Sequence, residues 1–270
     1  MGLSHLKIYI LSEYPTMIFI KKVTIPHLTG NAKRRAYIYV TDEAKTNFDI
    51  RYPVLYMFDG HNVFFDSHAT YGKSWGMLEL LQKADIPIIV AAVECNHGHN
   101  NERLSEYSPF DFDFRDVGRI KGQGKKTMDW FVKVFKPFVD RSFPTLPDRE
   151  YTFIAGSSMG GLMTIYALTH YNHIFSRGAA LSPAVSFSIK TVEQMIKAGT
   201  VAENSVLYMD YGEEEFRQHP QALGHYNRVA NALMEKGVLL NSRVVPKGEH
   251  TEASWEKQIP IFMETLFYDL

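Results

Sequence analysis

Residues 151–168 read YTFIAGSSMGGLMTIYAL, and the prediction of the fold starts from these residues. A short apolar run comes first, a serine with glycines on both sides follows, and a second apolar run completes it. We predict a buried strand, a tight turn at Ser158 and a helix, in that order. Side chains at Gly156 and Gly160 would collide with such a turn. The turn would lift the Ser158 hydroxyl clear of the sheet, above a helix start with free N–H groups.

Strands alternate with helices along the rest of the chain. Residues 18–25 and 35–40 alternate as half-buried strands around a turn at 28–31, which predicts an antiparallel hairpin at one sheet edge. Further strands are predicted at 53–58, 86–93, 178–181, 206–211 and 242–245. Helices are predicted at 75–83, 127–141, 192–198, 223–236 and 253–268, with Thr127 as an N-cap. This order predicts an α/β fold with a mostly parallel central sheet, helices on both faces and an antiparallel N-terminal edge.

The composition is that of an ordinary globular chain, with 270 residues, a net charge of −1 and 45% hydrophobic residues. We expect one domain at 17–270 after an extension at 1–16, and the natural start is either Met1 or Met17. A near-zero charge without a basic stripe disfavours nucleic acid and a membrane surface as partners. The single cysteine, Cys95, and an N-terminus interrupted by charges lead us to expect a cytoplasmic protein, whose oligomeric state stays open.

Three residues in separate segments have the types and the order needed for nucleophilic catalysis by a serine. The G-x-S-x-G pattern between a strand and a helix is the nucleophile elbow of α/β-hydrolases, which order their catalytic groups as serine, acid, histidine. Ser158 is the predicted nucleophile and His250, after the last strand, the predicted base. The acid follows the strand at 206–211; Glu215 is the first choice and Asp210 the alternative.

A developing oxyanion needs two backbone donors. The first expected donor is the N–H of Met159, directly after the nucleophile. The second is the N–H of His61, in the loop after the strand at 53–58, where Gly60 allows the backbone to approach closely. No cofactor or metal enters this scheme.

Several motifs together resemble the esterase family named "Putative esterase", which includes feruloyl and acetylxylan esterases, siderophore esterases and S-formylglutathione hydrolase. The resemblance spans roughly residues 20–268, and it lies in the elbow at 156–161, DGHNVF at 59–64, WG at 75–76, RLSEYSPF at 103–110 and HTEASW at 250–255. It implies an α/β-hydrolase fold with Ser158 as nucleophile, His250 as base and Glu215 as acid. It also implies His61 and Met159 as oxyanion donors.

These observations favour a serine carboxylic-ester hydrolase that acts through an acyl-enzyme on a small-molecule or carbohydrate ester. Two alternatives stay open: an acyltransferase with the same triad, and a non-catalytic binding protein on the same scaffold. In the acyltransferase, an alcohol outcompetes water for the acyl group of the acyl-enzyme. In the binding protein, Ser158 is not reactive at all.

Metal catalysis is a weaker alternative. Asp59 with His61, Asp66 with His68, and Glu94 with His97 and His99 have ligand-like spacing, but loop histidines are more often solvated. Loop aromatic residues could line an acyl or alcohol pocket, although core packing is the default for most of them. The residues considered are Phe64, Phe65, Tyr71, Tyr107, Phe110, Phe112 and Phe114.

Overall fold

The computed structural model describes residues 7–10, 17–41, 43–47, 49–98, 102–114 and 117–270. Its strands are β1 (Lys7–Ile10), β2 (Met17–Thr24), β3 (Lys33–Val40), β4 (Val54–Met57), β5 (Ile89–Val93), β6 (Phe112–Phe114), β7 (Gly118–Ile120), β8 (Thr152–Ser157), β9 (Arg177–Leu181), β10 (Val206–Gly212) and β11 (Leu239–Val245). Its helices are α1 (Pro26–Thr29), α2 (Glu43–Thr46), α3 (Met77–Ala84), α4 (Glu102–Glu106), α5 (Gly124–Trp130), α6 (Lys136–Ser142), α7 (Met159–His170), α8 (Ile189–Ala198), α9 (Glu213–Gln218), α10 (Gln221–Glu235), α11 (Glu252–Glu256) and α12 (Ile259–Leu266).

The main sheet has the strand order β1-β2-β3-β5-β4-β8-β9-β10-β11, while β6 and β7 form a separate hairpin. The pairs β1–β2, β2–β3 and β3–β5 are antiparallel, and all pairs from β5 to β11 are parallel. The predicted fold class is therefore confirmed. Strand β5 lies on one side of β4, whereas β8 and the strands that follow it lie on the other side. The loops after β4 and β8 are therefore neighbours at the switch point, where the strand order reverses direction. Open α/β sheets place their sites there.

Two apolar cores cover the two faces of the main sheet. In the fully buried strand β8, Ile154 packs into one core, while Phe153 and Ala155 pack into the other. The first core contains residues of α5, α7, α8 and α10, and the second contains residues of α3 and α12. Every residue of α7 except His170 is buried, so this helix is fixed beneath the predicted nucleophile.

Two helix predictions were wrong in detail. The helix predicted at 127–141 starts at Gly124, and the Thr127 hydroxyl donates to the Glu106 carbonyl at 2.7 Å instead of capping. This helix is interrupted by a π-helical turn, Phe131–Phe135, before α6, where Pro137 lacks the N–H that would continue the ladder. The single helix predicted at 253–268 is two helices, α11 and α12, and Pro260 lies in the first turn of the second.

The N-terminal extension predicted at 1–16 is described only at Lys7–Ile10. These residues form β1, which pairs with β2 from Lys7 opposite Ile20 to Ile10 opposite Met17. Residues 1–6 and 11–16 lie outside the described part of the chain. Among the helices within that part, none combines the length and the apolar character needed to cross a bilayer.

Candidate active site

Ser158 occupies the sharp turn between β8 and α7. Its backbone angles, φ 56° and ψ −120°, lie in a region that non-glycine residues rarely adopt. The Ser158 N–H donates to the carbonyl of Leu181 on β9 at 2.9 Å, which holds the turn. A Cβ at Gly156 would lie 2.8 Å from the carbonyl carbon of Gly160. The glycines therefore let strand and helix cross at contact distance, as the sequence predicts.

His250 and Glu215 meet beyond the carboxyl ends of the last two strands. His250 lies in the loop between β11 and α11, and Glu215 lies in the first turn of α9, directly after β10. The Nδ1 of His250 is 2.6 Å from Oε2 of Glu215. Because a carboxylate only accepts hydrogen bonds, Nδ1 carries the proton and Nε2 is left as the basic nitrogen. This is the tautomer that a general base needs.

The other carboxylate oxygen of Glu215 is fixed by two donors. Oε1 accepts from the N–H of Gly212 at 3.0 Å, as part of a capping box at the start of α9, and from the hydroxyl of Ser182 at 2.6 Å. Ser182 in turn accepts from the indole N–H of Trp255 at 3.1 Å. The Trp255 ring packs edge-on against the His250 ring, with centroids 5.1 Å apart. Glu215 and His250 are thus held by a shared set of contacts.

Asp210, the alternative acid, has different partners. Its Oδ1 accepts from the N–H of Ser182 at 3.0 Å and its Oδ2 from the hydroxyl of Tyr208 at 2.8 Å. It is 1% exposed within β10, and burial raises its pKa to about 7. None of the hydrogen bonds among the described residues joins it to His250. Of the two candidates, the structure brings Glu215 to the imidazole.

The loop after β4 contains His61, the residue predicted to provide the second oxyanion donor. Asp59 has a left-handed backbone, φ 54°, and starts a 3-10 turn over Gly60–Asn62. A Cβ at Gly60 would lie 2.8 Å from the backbone of Val93, so only glycine lets this loop lie against β5. His61 in this turn and Met159 at the first position of α7 both lie at helix starts, where N–H groups have no intrahelical acceptor.

Arg103 anchors the loop at Asp59–Asn62, a role that the sequence did not predict. Its guanidinium donates twice to the Asp59 carboxylate, at 2.8 and 2.7 Å. Burial alone would raise the pKa of Asp59, but the charge and hydrogen bonds of Arg103 outweigh it and hold the pKa below its ordinary value. The hydroxyl of Tyr107 accepts from the Asp59 N–H at 3.2 Å. The motif at 103–110 was part of the family resemblance, but the sequence does not indicate that Arg103 pairs with Asp59.

Ser158 and His250 line one cavity of about 740 Å³, a volume typical of small-molecule sites. Both residues are described, and no hydrogen bond joins their side chains in this structure. Catalytic hydrogen bonds are often long without substrate. Most of the residues that line the cavity are polar or charged, although apolar atoms make up the larger part of the surface that they expose to it. The polar and charged lining residues include Asn62, Thr70, Lys73, Asn96, Glu102, Arg103 and Glu252.

The aromatic residues considered from the sequence mostly lie elsewhere. Phe64, Tyr107 and Phe112 are buried in the cores, and Tyr71 is the member of the set that lines the cavity.

The metal-like pairs are largely occupied by other partners. Asp66 accepts from Ser74 at 2.7 Å, and Glu94 accepts from Arg35 at 2.5 Å. Asp59 is bound by Arg103, and His99 lies outside the described residues. Burial lowers the pKa of His61 to about 4, so its ring is neutral.

The strand order, the strained Ser158 turn and the loops at the carboxyl edge of the sheet are those of an α/β-hydrolase. The chain matches the family described as "Putative esterase" over residues 31–265, and it belongs to that family. This match confirms the resemblance stated from the motifs. Family membership and the hydrolase fold together support ester hydrolysis as the activity.

Known proteins similar to this chain include one curated relative and several solved structures. The uncharacterized protein YbbA of Bacillus subtilis (strain 168) is 23% identical over 231 residues, covering 78% of this chain and 81% of that protein. An IroE-like serine hydrolase from Shewanella oneidensis has a TM-score of 0.69 at 17% identity, covering 93% of this chain and 78% of that one. An S-formylglutathione hydrolase from Agrobacterium tumefaciens has a TM-score of 0.64 at 12% identity, covering 97% and 99%. At such identities the structures show the shared fold.

Proposed function

We propose that this protein is a serine carboxylic-ester hydrolase that acts through an acyl-enzyme on a small-molecule or carbohydrate ester. The observation that carries the proposal is the imidazole of His250, bonded to Glu215 at 2.6 Å on the same cavity as the strained Ser158. Such a constellation serves nucleophilic catalysis because the carboxylate orients the base and stabilises the imidazolium that forms.

In the proposed reaction the Ser158 oxygen attacks the acyl carbonyl while Nε2 of His250 takes the hydroxyl proton. The carbonyl oxygen gains negative charge and is stabilised by the N–H groups of His61 and Met159. The tetrahedral intermediate collapses, the bond to the alcohol breaks, and His250 returns the proton to the leaving oxygen. Water then repeats the sequence on the acyl-enzyme and releases the acid.

Three charged side chains in the cavity favour a substrate that carries polar groups beside its apolar part. The cavity wall carries Lys73, Glu102 and Glu252, and the amide of Asn62 donates to Glu252 at 3.0 Å. A long apolar acyl chain that covered these three charged side chains would remove their water without offering a hydrogen-bond partner, which costs free energy. Esters whose acyl or alcohol part bears hydroxyl or amide groups would satisfy them. We therefore expect higher kcat/KM for sugar acetates and similar polar esters than for long-chain p-nitrophenyl esters.

The test is the nucleophile itself. Ser158→Ala should abolish p-nitrophenyl acetate hydrolysis and labelling by a fluorophosphonate probe, with an unchanged circular dichroism spectrum. The matched control is the adjacent Ser157→Ala, which should still be labelled at residue 158. Labelling and turnover that survive Ser158→Ala would refute the assignment. A wild-type protein that is folded but never labelled would instead identify a binding protein on this scaffold.

A further inference from the structure

A cluster of nitrogen and sulfur donors lies in the wall of the cavity that also holds Ser158. It consists of His61, Cys95 and His97, whose possible ligand atoms all lie within 4.8 Å of one another. The two imidazole rings meet edge to face with centroids 4.3 Å apart. The catalytic scheme uses only the backbone of His61 and neither of the other two residues, so this arrangement of side chains is unexplained by ester hydrolysis.

The His61 ring has one satisfied and one unsatisfied nitrogen. Its Nε2 lies 3.0 Å from the hydroxyl oxygen of Thr70, whereas its Nδ1 is buried and has no hydrogen-bond partner among the described residues. The residue is only 3% exposed, and a buried polar atom without a partner calls for an explanation. A ring whose Nε2–H donates to Thr70 presents the Nδ1 lone pair as a ligand, which is how metal-binding histidines are oriented.

Cys95 completes the buried half of the cluster. It is the only cysteine of the chain, lies two residues after β5 and is 3% exposed. It has no other cysteine with which to form an internal disulfide. His97 is exposed, so its ring can adjust its position without disturbing the core.

We propose that His61, Cys95 and His97 bind a single Zn²⁺ ion or a similar divalent transition-metal ion. Thiolate and imidazole ligands favour Zn²⁺ and its soft or borderline relatives over Ca²⁺ and Mg²⁺, which require oxygen ligands. At ordinary Zn–S and Zn–N bond lengths, tetrahedral ligands lie about 3.6 Å apart, so the cluster would contract by roughly 1 Å. Binding releases the thiol proton to solvent, and the fourth position is left to water.

An ion at this site would share the cavity with the ester. It would occupy space beside the Gly60–Asn62 turn and tie the His61 side chain to the segment that follows β5. We therefore expect metal occupancy to inhibit hydrolysis. This consequence rests on the proposed esterase function, whereas metal binding itself does not.

Cobalt provides a direct test of binding because it needs no substrate. Reduced, metal-free protein titrated with Co²⁺ should develop a thiolate-to-cobalt charge-transfer band that saturates at one equivalent and is displaced by Zn²⁺. With one cysteine in the chain, the band can arise only from Cys95. Cys95→Ser should remove it, and His97→Asn should weaken Co²⁺ binding by more than about tenfold. His173→Asn, an exposed histidine outside the cavity, is the matched control and should bind like the wild type.

Several results would overturn the proposal. The wild type could show no charge-transfer band at saturating Co²⁺. The His97→Asn variant could bind one equivalent of Co²⁺ with an unaltered band. The Cys95→Ser variant could retain one equivalent of Zn²⁺ after dialysis. Circular dichroism reports the folding of each variant independently of the proposed esterase activity. If Cys95→Ser fails to fold, His97→Asn is the second variant, because His97 is exposed. Inhibition is measured against each variant's own metal-free rate. Full Zn²⁺ occupancy without inhibition would refute competition for the cavity.

Discussion

Glu215→Gln is the substitution that tests the site most directly, because it keeps the shape of the side chain and replaces one acceptor oxygen with an NH₂ donor. In the wild type, Oε1 accepts from Gly212 and Ser182, and Oε2 accepts from Nδ1 of His250. The Gly212 N–H can only donate, so the glutamine must place its carbonyl oxygen there. Its NH₂ group then faces the imidazole.

The consequence falls on the tautomer of His250. An NH₂ group opposite Nδ1 requires Nδ1 to accept, which moves the ring proton to Nε2. The nitrogen that should deprotonate Ser158 then has no free lone pair. A wrong tautomer with intact geometry costs about 10⁴-fold in kcat in the serine-protease triad, or about 5.5 kcal/mol of transition-state stabilisation. We expect a loss of this size here.

The assay is kcat/KM for p-nitrophenyl acetate, with thermal unfolding as the check on structure. Glu214→Gln makes the same chemical change one residue earlier, where the carboxylate pairs with Arg217, and it should leave activity unaltered. Glu215→Ala is less informative because it also removes the cap on α9. The reasoning is refuted if Glu215→Gln keeps more than about a tenth of the activity.

Three further predictions follow from buried or close-packed groups. Because the folded-state pKa of Asp210, about 7, exceeds its ordinary 3.8, stability is lost as pH rises between these values; Asp210→Asn should remove about 4 kcal/mol of this pH dependence, measured by urea unfolding at pH 4 and pH 8. Arg103→Met should cost about 3 kcal/mol by leaving the Asp59 carboxylate unpaired, and an added Asp59→Asn should restore part of it; no restoration would contradict the pairing argument. Gly60→Ala should push the loop at Asp59–Asn62 away from Val93 and, with the proposed His61 donor displaced, lower kcat about 10²-fold while Ser158 stays accessible to the probe; unchanged kcat would contradict this donor assignment.

Local patterns were sufficient for the framework of the fold. The elbow at Ser158 combines a buried strand, two required glycines and an apolar helix, and each of these has a signature within a few residues. The order of acid and base after the elbow restricts their positions to the ends of β10 and β11. The predictions failed where a distant group intervened, as when the Glu106 carbonyl took the Thr127 hydroxyl that would otherwise cap a helix.

The contacts around the site could not be found in this way. Arg103 and Asp59 are 44 residues apart, and Trp255 reaches Ser182 across 73 residues. Neither member of either pair carries a local pattern that specifies its partner, because the sheet topology brings them together. Which of two nearby carboxylates serves His250 is a question of the same kind.

The two carboxylates differ in what their positions within β10 and α9 allow. Asp210 lies inside a strand that is paired on both sides, opposite Leu181 and Arg243, so its backbone cannot shift toward the imidazole. Both of its oxygens already have donors, and it is nearly inaccessible.

Glu215 lies beyond the end of β10, in the first turn of α9. Its side chain, which is longer than that of Asp210, reaches back over the edge of the sheet. Ser182 distinguishes the two residues by giving its N–H to Asp210 and its O–H to Glu215. An aspartate at position 215 would withdraw the carboxylate by about 1.5 Å, more than a 2.6 Å hydrogen bond can absorb. The contact with His250 therefore requires the length of glutamate at position 215, and Asp210 cannot make that contact in its place.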